Sequence, residues 1–245
     1  YKAPDGILYA WYHHEVFLNC DGNPVSAPMI GALRSEDDGL TFQDLGIVLS
    51  AGGEPDCNTN NKYFAGGHGD FTAIPDANLE YIYFFYSNYS GETEAQGIAT
   101  ARILISDLDQ PVDRVMKYFE GDWLEPGNGG AATPVFAATS NWASEAADAF
   151  WGPSVHWNTH LNRYVMVMNH TCCSTDWGQE GIYISFGVDL SQPASWGQPV
   201  KLLNGGGWYP MVMGMVLGDT DKSSGRAARF YMGSDSNYFI EFDWK

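Results

Sequence analysis

Several short stretches of this sequence carry side chains that could do chemistry. His13, His14 and Glu15 interrupt the apolar run LYAWYHHEVFLNC, His68 and Asp70 stand in GGHGDF, His170 closes RYVMVMNHT, and Glu180 follows in DWGQEGIY. Two carboxyl groups flanking a bond can act as acid and base when one is held protonated and the other ionised. Asp70, exposed after Gly-His-Gly, is the expected ionised member. The expected acid is Glu180 or Glu15, kept protonated by a neighbouring carboxylate and by Trp177 or Trp11. Trp151, Trp208 and Tyr209 add flat aromatic faces, which stack on the C–H side of a sugar while polar rims bind its hydroxyls. Each residue also has a plainer role, as a turn cap, a solvated loop side chain or a channel plug.

Such scattered residues can meet only if the chain repeats one supersecondary unit around an axis. Four segments share a rhythm of short strand, polar turn, aromatic strand, polar loop and further strand. The aromatic strands are LYAWYHHE, YIYFFYSNY, RYVMVMNHT and RFYMGSD, with Tyr9, Tyr83, Val165 and Phe230 in equivalent places. Turn-formers precede each of them: PDG, PDANLE, NTHLN and DTDKSSG. The units run over about 1–52, 66–127, 148–204 and 207–245 of a single domain. Four-stranded units with variable loops read as propeller blades. Only SNWASEAADAF could form a short helical turn, or else a loop. In this arrangement His13-His14-Glu15 closes a second strand, and its tip faces the same central pit as Asp70, His170 and the aromatic residues.

SEDDGLTF, from Ser35 to Phe42, fits the Ser-x-Asp-x-Gly-x-Thr-aromatic pattern of an Asp box, a structural hairpin of sialidase-like blades. With the repeats DFTAIPDANLEYIYFFYS and WGPSVHWNTHLNRYVMVMN, the chain resembles the five-bladed β-propeller glycosidases, glycoside hydrolase family 43 and its arabinanase-like relatives. The resemblance implies an all-β, five-bladed propeller of which four blades are recognisable here, the first without its innermost strand, with an N-terminal part missing; a four-bladed ring is the alternative. It further implies hydrolysis of glycosidic bonds by a carboxylic acid and a carboxylate. Two departures stand out. Where family 43 carries its acid in Glu-Gly-Pro, this chain has Trp151-Gly152-Pro153. The family's base sits on the first blade's inner strand, upstream of Tyr1, so Asp70 could instead match its second, tuning aspartate. Sialidase chemistry needs an arginine cluster for a carboxylate, and none is expected at the rim.

Composition narrows the ligand. With 30 acidic and 12 basic residues the net charge is −18, which repels nucleic acid, anionic membranes and polyuronates. An oligo- or polysaccharide built of neutral sugars is the expected partner, and the chain is expected to be a monomer. The alternative is a propeller that binds carbohydrate without cleaving it, or one that serves as a protein-interaction platform. No cofactor is required, although Ca²⁺ could sit near DTDKSSG or GHGD. The four cysteines match no zinc spacing. Cys20 with Cys57 is the expected disulfide, Cys172-Cys173 would need a strained vicinal bridge, and four free thiols are the alternative. Disulfides and glycan chemistry together predict a secreted protein.

Overall fold

A computed structural model describes residues 1–174 and 177–244. The chain is all-β, and four antiparallel sheets follow one another as the blades of a propeller. The first blade is β1 (Leu8–Cys20), β2 (Asn23–Ser35) and β3 (Gln43–Leu49). The second is β4 (His68–Pro75), β5 (Tyr81–Asn88), β6 (Gly97–Leu104), β7 (Met116–Phe119) and β8 (Asp122–Pro126), with β9 (Phe136–Ala137) paired to β6. The third is β10 (Asp148–Asn158), β11 (Arg163–Cys172), β12 (Gln179–Gly187) and β13 (Val200–Asn204). The last comprises β14 (Met211–Gly214), β16 (Ala227–Met232) and β17 (Asp235–Glu241), while β15 (Ser223–Ser224) pairs with β10. SNWASEAADAF folds as turns and the start of β10 rather than as helix.

The strand sequences follow from what each blade face meets. β5, Tyr-Ile-Tyr-Phe-Phe-Tyr-Ser-Asn, is almost unbrokenly apolar because both of its faces are buried between neighbouring blades. Ile82, Phe84 and Tyr86 pack on Ile30, Val48 and Leu49 of the first blade. Tyr83 and Phe85, pointing the other way, pack on Met166 and Met168 of the third. Val165 and Val167 then meet Val212 and Phe230 of the last blade. Full burial of each such side chain contributes about 1.5–3 kcal/mol. Between the first two blades, wholly buried Lys117 donates to Ser50 O (3.0 Å) and Gly130 O (2.8 Å), and burial pulls its pKa down to about 7.

β1 departs from expectation. His13-His14-Glu15 does not end the strand but lies in the middle of thirteen residues, with His13 opposite Ile30 and Glu15 opposite Pro28. Pairing with β2 continues because solvent lies near this part of the strand, where a polar side chain costs nothing. The turn Ser35–Phe42 joins β2 to β3. Asp37 accepts from Thr41 N and Oγ1 (2.9 and 2.7 Å), and Ser35 Oγ donates to Asp37 (2.8 Å). These bonds hold the Asp37 carboxyl down at about 2. Cys20 is bonded to Cys57, with Cα atoms 5.3 Å apart, and Cys172 to Cys173.

Candidate functional site

The innermost strands surround a channel of about 430 Å³ walled by Trp11, Phe71, Pro153, Tyr209 and Met211. Below, Lys222 donates to Thr72 Oγ1 (3.1 Å) and pairs with Asp221 (2.9 Å). Above, three blades use the same backbone device where the chain runs into the innermost strand. Gly69-Asp70-Phe71, Trp151-Gly152-Pro153 and Trp208-Tyr209-Pro210 each place the middle residue in the left-handed region, at φ 43°, 59° and 56°. In the second and third blades this residue sits at a break in the pairing register, as a bulge that re-aims its side chain. The second strand of the blade before bonds two of these three positions. Ser87 Oγ accepts from Gly152 N (3.0 Å), and Asn169 Oδ1 accepts from Tyr209 N (2.9 Å). His13 occupies the equivalent place on β1, so close to the second blade's bulge that any side chain at Gly69 would collide with its Nε2.

Asp70 is the acidic member of this ring of bulges, and it is buried. Its Oδ2 accepts a hydrogen bond from the Tyr89 hydroxyl. Tyr209 faces it from the last blade. Burial and then the Asp70 carboxylate push the Tyr209 phenol well above its ordinary value, with Glu15 adding to the effect. Glu15 lies on the same face of β1 as His13, two residues on. Thus His13, Glu15, Asp70 and Tyr209 gather at one mouth. Trp151 forms its wall, edge-on to Tyr209 (5.6 Å) and Trp208 (6.1 Å). Trp151 is buried, whereas Trp208 and Tyr209 are 54% and 49% exposed and free to meet a ligand.

Four expected residues belong elsewhere. His14 lies beside Tyr12 on the other face of β1 (ring centroids 6.3 Å). His68 is buried, its Nδ1 against Gly67 O (3.0 Å) and its ring against Tyr86, and burial keeps it neutral by lowering its pKa far below 6.5. His170 follows Asn169 on β11 and therefore points to the opposite face. There its Nε2 meets Asp148 (3.0 Å) and its Nδ1 meets Glu180 (3.1 Å). Glu180 also accepts from Tyr183 (2.9 Å) and pairs with Lys201. Burial would raise the Glu180 carboxyl, but bonds from Lys201, Tyr183 and His170 outweigh it and hold the group below its usual range. That is the reverse of what a proton-donating acid needs, so the expectation for Glu180 is corrected.

Tyr89 was missed in the sequence because it stands one residue past β5 in the polar stretch Ser-Asn-Tyr-Ser. An aromatic inside such a loop, next to the strand that carries Asp70, is the signal that could have found it. Among the described residues, the side chains close enough to share a metal ion are Asp148, Cys172 and Cys173. The two sulfurs are bonded to each other. In DTDKSSG, Asp219 accepts from Ser223 Oγ (3.3 Å) and Asp221 pairs with Lys222, so both carboxylates are engaged within their own turn.

No family model matches the chain, and no curated protein matches it in sequence. Solved structures resemble it to different degrees. A variant of an α-L-arabinofuranosidase from Fusarium graminearum, in complex with an iminosugar inhibitor, has TM-score 0.50 and 12% identity, over 92% of this chain and 54% of that one. A protein of unknown function from Dyadobacter fermentans gives TM-score 0.49 and 11% identity, over 98% of this chain and 50% of that one. An exo-β-1,3-galactanase from Clostridium thermocellum gives 0.33 and 12%, over 91% and 51%. The chain spans about half the length of these structures, and the likeness to the arabinofuranosidase is one of fold.

Proposed function

We propose that this propeller is a secreted glycoside hydrolase acting on a neutral glycan, with Asp70 as the ionised carboxylate and Glu15 as its acid partner. The observation that carries the reading is the convergence at one mouth of Asp70, Glu15, Tyr209 and the exposed face of Trp208, delivered by three different blades. A sugar ring stacks on Trp208, its hydroxyls meet Tyr209 and His13, and the scissile bond lies between the two carboxyl groups. The fold shared with an arabinofuranosidase supports arabinose-containing substrates as the first to try. The two disulfides, and the lack among the described residues of any helix long and apolar enough to cross a membrane, are compatible with export.

The test is hydrolysis of 4-nitrophenyl α-L-arabinofuranoside, β-D-xyloside and β-D-galactoside and of the matching oligosaccharides. Turnover by the native protein that is lost in both Asp70→Asn and Glu15→Gln supports the reading. Oligosaccharide binding with no turnover of any substrate would replace it by the second reading, a carbohydrate-binding propeller.

A further inference from the structure

Asp70 carries out its proposed role only if its carboxylate is held in one orientation, and the surroundings of Tyr89 do this. The Tyr89 backbone is fixed first: its N–H donates to Gly67 O (3.0 Å), and Gly67 N in turn donates to Ser90 Oγ (2.6 Å). The ring is fixed next. Phe64 stacks flat on one face, with centroids 4.1 Å apart and planes within 8°, and Trp142 meets it edge-on at 5.0 Å. Trp177 closes the cluster at 6.3 Å. Tyr89, Trp142 and Trp151 share one buried aromatic core, continuous with the wall of the mouth. A phenol this confined cannot turn away, so its hydroxyl stays aimed at Asp70 Oδ2.

A phenol suits this task better than a lysine or arginine would. It orients a carboxylate and favours its charged form without cancelling the charge. The Tyr89 hydroxyl keeps its proton, because burial and then Asp70 push its ionisation well above the ordinary value for tyrosine.

Building on the hydrolase reading, we propose that Tyr89 is a positioning residue that fixes the Asp70 carboxylate for reaction through a hydrogen bond to Oδ2. Tyr89→Phe keeps the stacked ring and removes only the donor. It should lower kcat about tenfold or more, the loss expected for a hydrogen bond to a charged group, and leave KM within about twofold. It should also move the acid limb of the kcat/KM–pH profile to higher pH, since the bond favours the ionised form. A purely structural role predicts the reverse: a lower melting temperature with an unchanged pH profile, equally in Tyr89→Phe and Tyr89→Leu. That outcome overturns the proposal.

The two readings can fail separately. If the native protein hydrolyses nothing, carboxyl NMR of protein labelled with [¹³Cγ]aspartate decides, the Asp70 signal being the one missing from Asp70→Asn. A titration midpoint that moves upward in Tyr89→Phe sustains the Asp70–Tyr89 coupling without the enzyme. A midpoint that stays in place ends the proposal.

Discussion

Two carboxylates in this fold are held by opposite means. Asp70 is bonded by one neutral phenol, Tyr89, and faced by another, Tyr209, among aromatic rings. Glu180 is bonded by Lys201, by Tyr183 and by His170, an imidazole that also meets Asp148. A carboxylate paired with a cation, as Glu180 is with Lys201, has its charge answered on the spot, and the attraction ties strands together. A carboxylate held only by phenols is oriented but still charged, and so remains able to take a proton or stabilise a developing cation. The two groups lie on different faces of neighbouring sheets. On the hydrolase reading proposed above, the choice of donor, together with depth, separates the group that would react from the one that holds the structure.

The largest effect expected from breaking this contrast is on turnover. Asp70→Asn should lower kcat by about three orders of magnitude, within the range for loss of a general acid or base. Glu180→Gln should leave kcat within about threefold. Equal losses in initial-rate assays of the two variants would erase the distinction.

A smaller effect is expected on stability, with the roles exchanged. Glu180→Gln should cost about 1 kcal/mol in urea unfolding, as for a partly exposed charge network. The loss should depend on pH in a fixed direction. The folded Glu180 carboxyl titrates below its ordinary value of 4.5. Between the two values the unfolded chain therefore binds more protons, and unfolding becomes easier as pH falls. The stabilisation is complete above pH 4.5 and drains away below it, so the gap between native and variant should close on acidification. A gap that widened would contradict the assigned bonds.

The smallest effect sharpens the aromatic side of the comparison. Trp208→Ala removes a half-exposed face and should weaken oligosaccharide binding by about tenfold or less, the value of one aromatic contact. Folding stability should stay within about 0.5 kcal/mol, as for other surface changes. Quenching of tryptophan fluorescence reads the first and urea unfolding the second. Unchanged affinity would remove Trp208 from the binding wall.

Much of this could be read from the residues in order. The near-continuous aromatic run of β5 and the Val/Met run of β11 read as equivalent strands of a repeat, and the equivalence of Tyr9, Tyr83 and Val165 placed His13, Ser87 and Asn169 in register. Asp70 stood out after its glycines. What resisted reading was side-chain direction. His170 and Asn169 are neighbours in sequence, and only the phase of β11 decides which one meets Tyr209. Glu180 looked like a free acid because Lys201, its partner, lies 21 residues on, where β13 runs beside β12. His13-His14-Glu15 looked like a tip because polarity marks nearby solvent, and a strand's side can meet solvent as readily as its end.

The three left-handed positions around the axis limit how their residues can vary. Each segment sets its middle residue in the left-handed region, and at Gly152 and Tyr209 a bond from the preceding blade fixes that backbone, not the side chain that fills it. Asp and Gly accept that backbone cheaply, while a bulky residue such as Tyr209 costs on the order of 1 kcal/mol or more. Gly152 is the position filled with no side chain; a Cβ there would lie 3.3 Å from Asn169 Oδ1 and 3.6 Å from the Tyr209 ring. A side chain there would press on Asn169 and on the Tyr209 ring, the two partners that fix the next position around the axis. Asparagine or aspartate at position 152 would therefore be felt at Tyr209 as well, so neighbouring positions around the axis cannot change independently of one another.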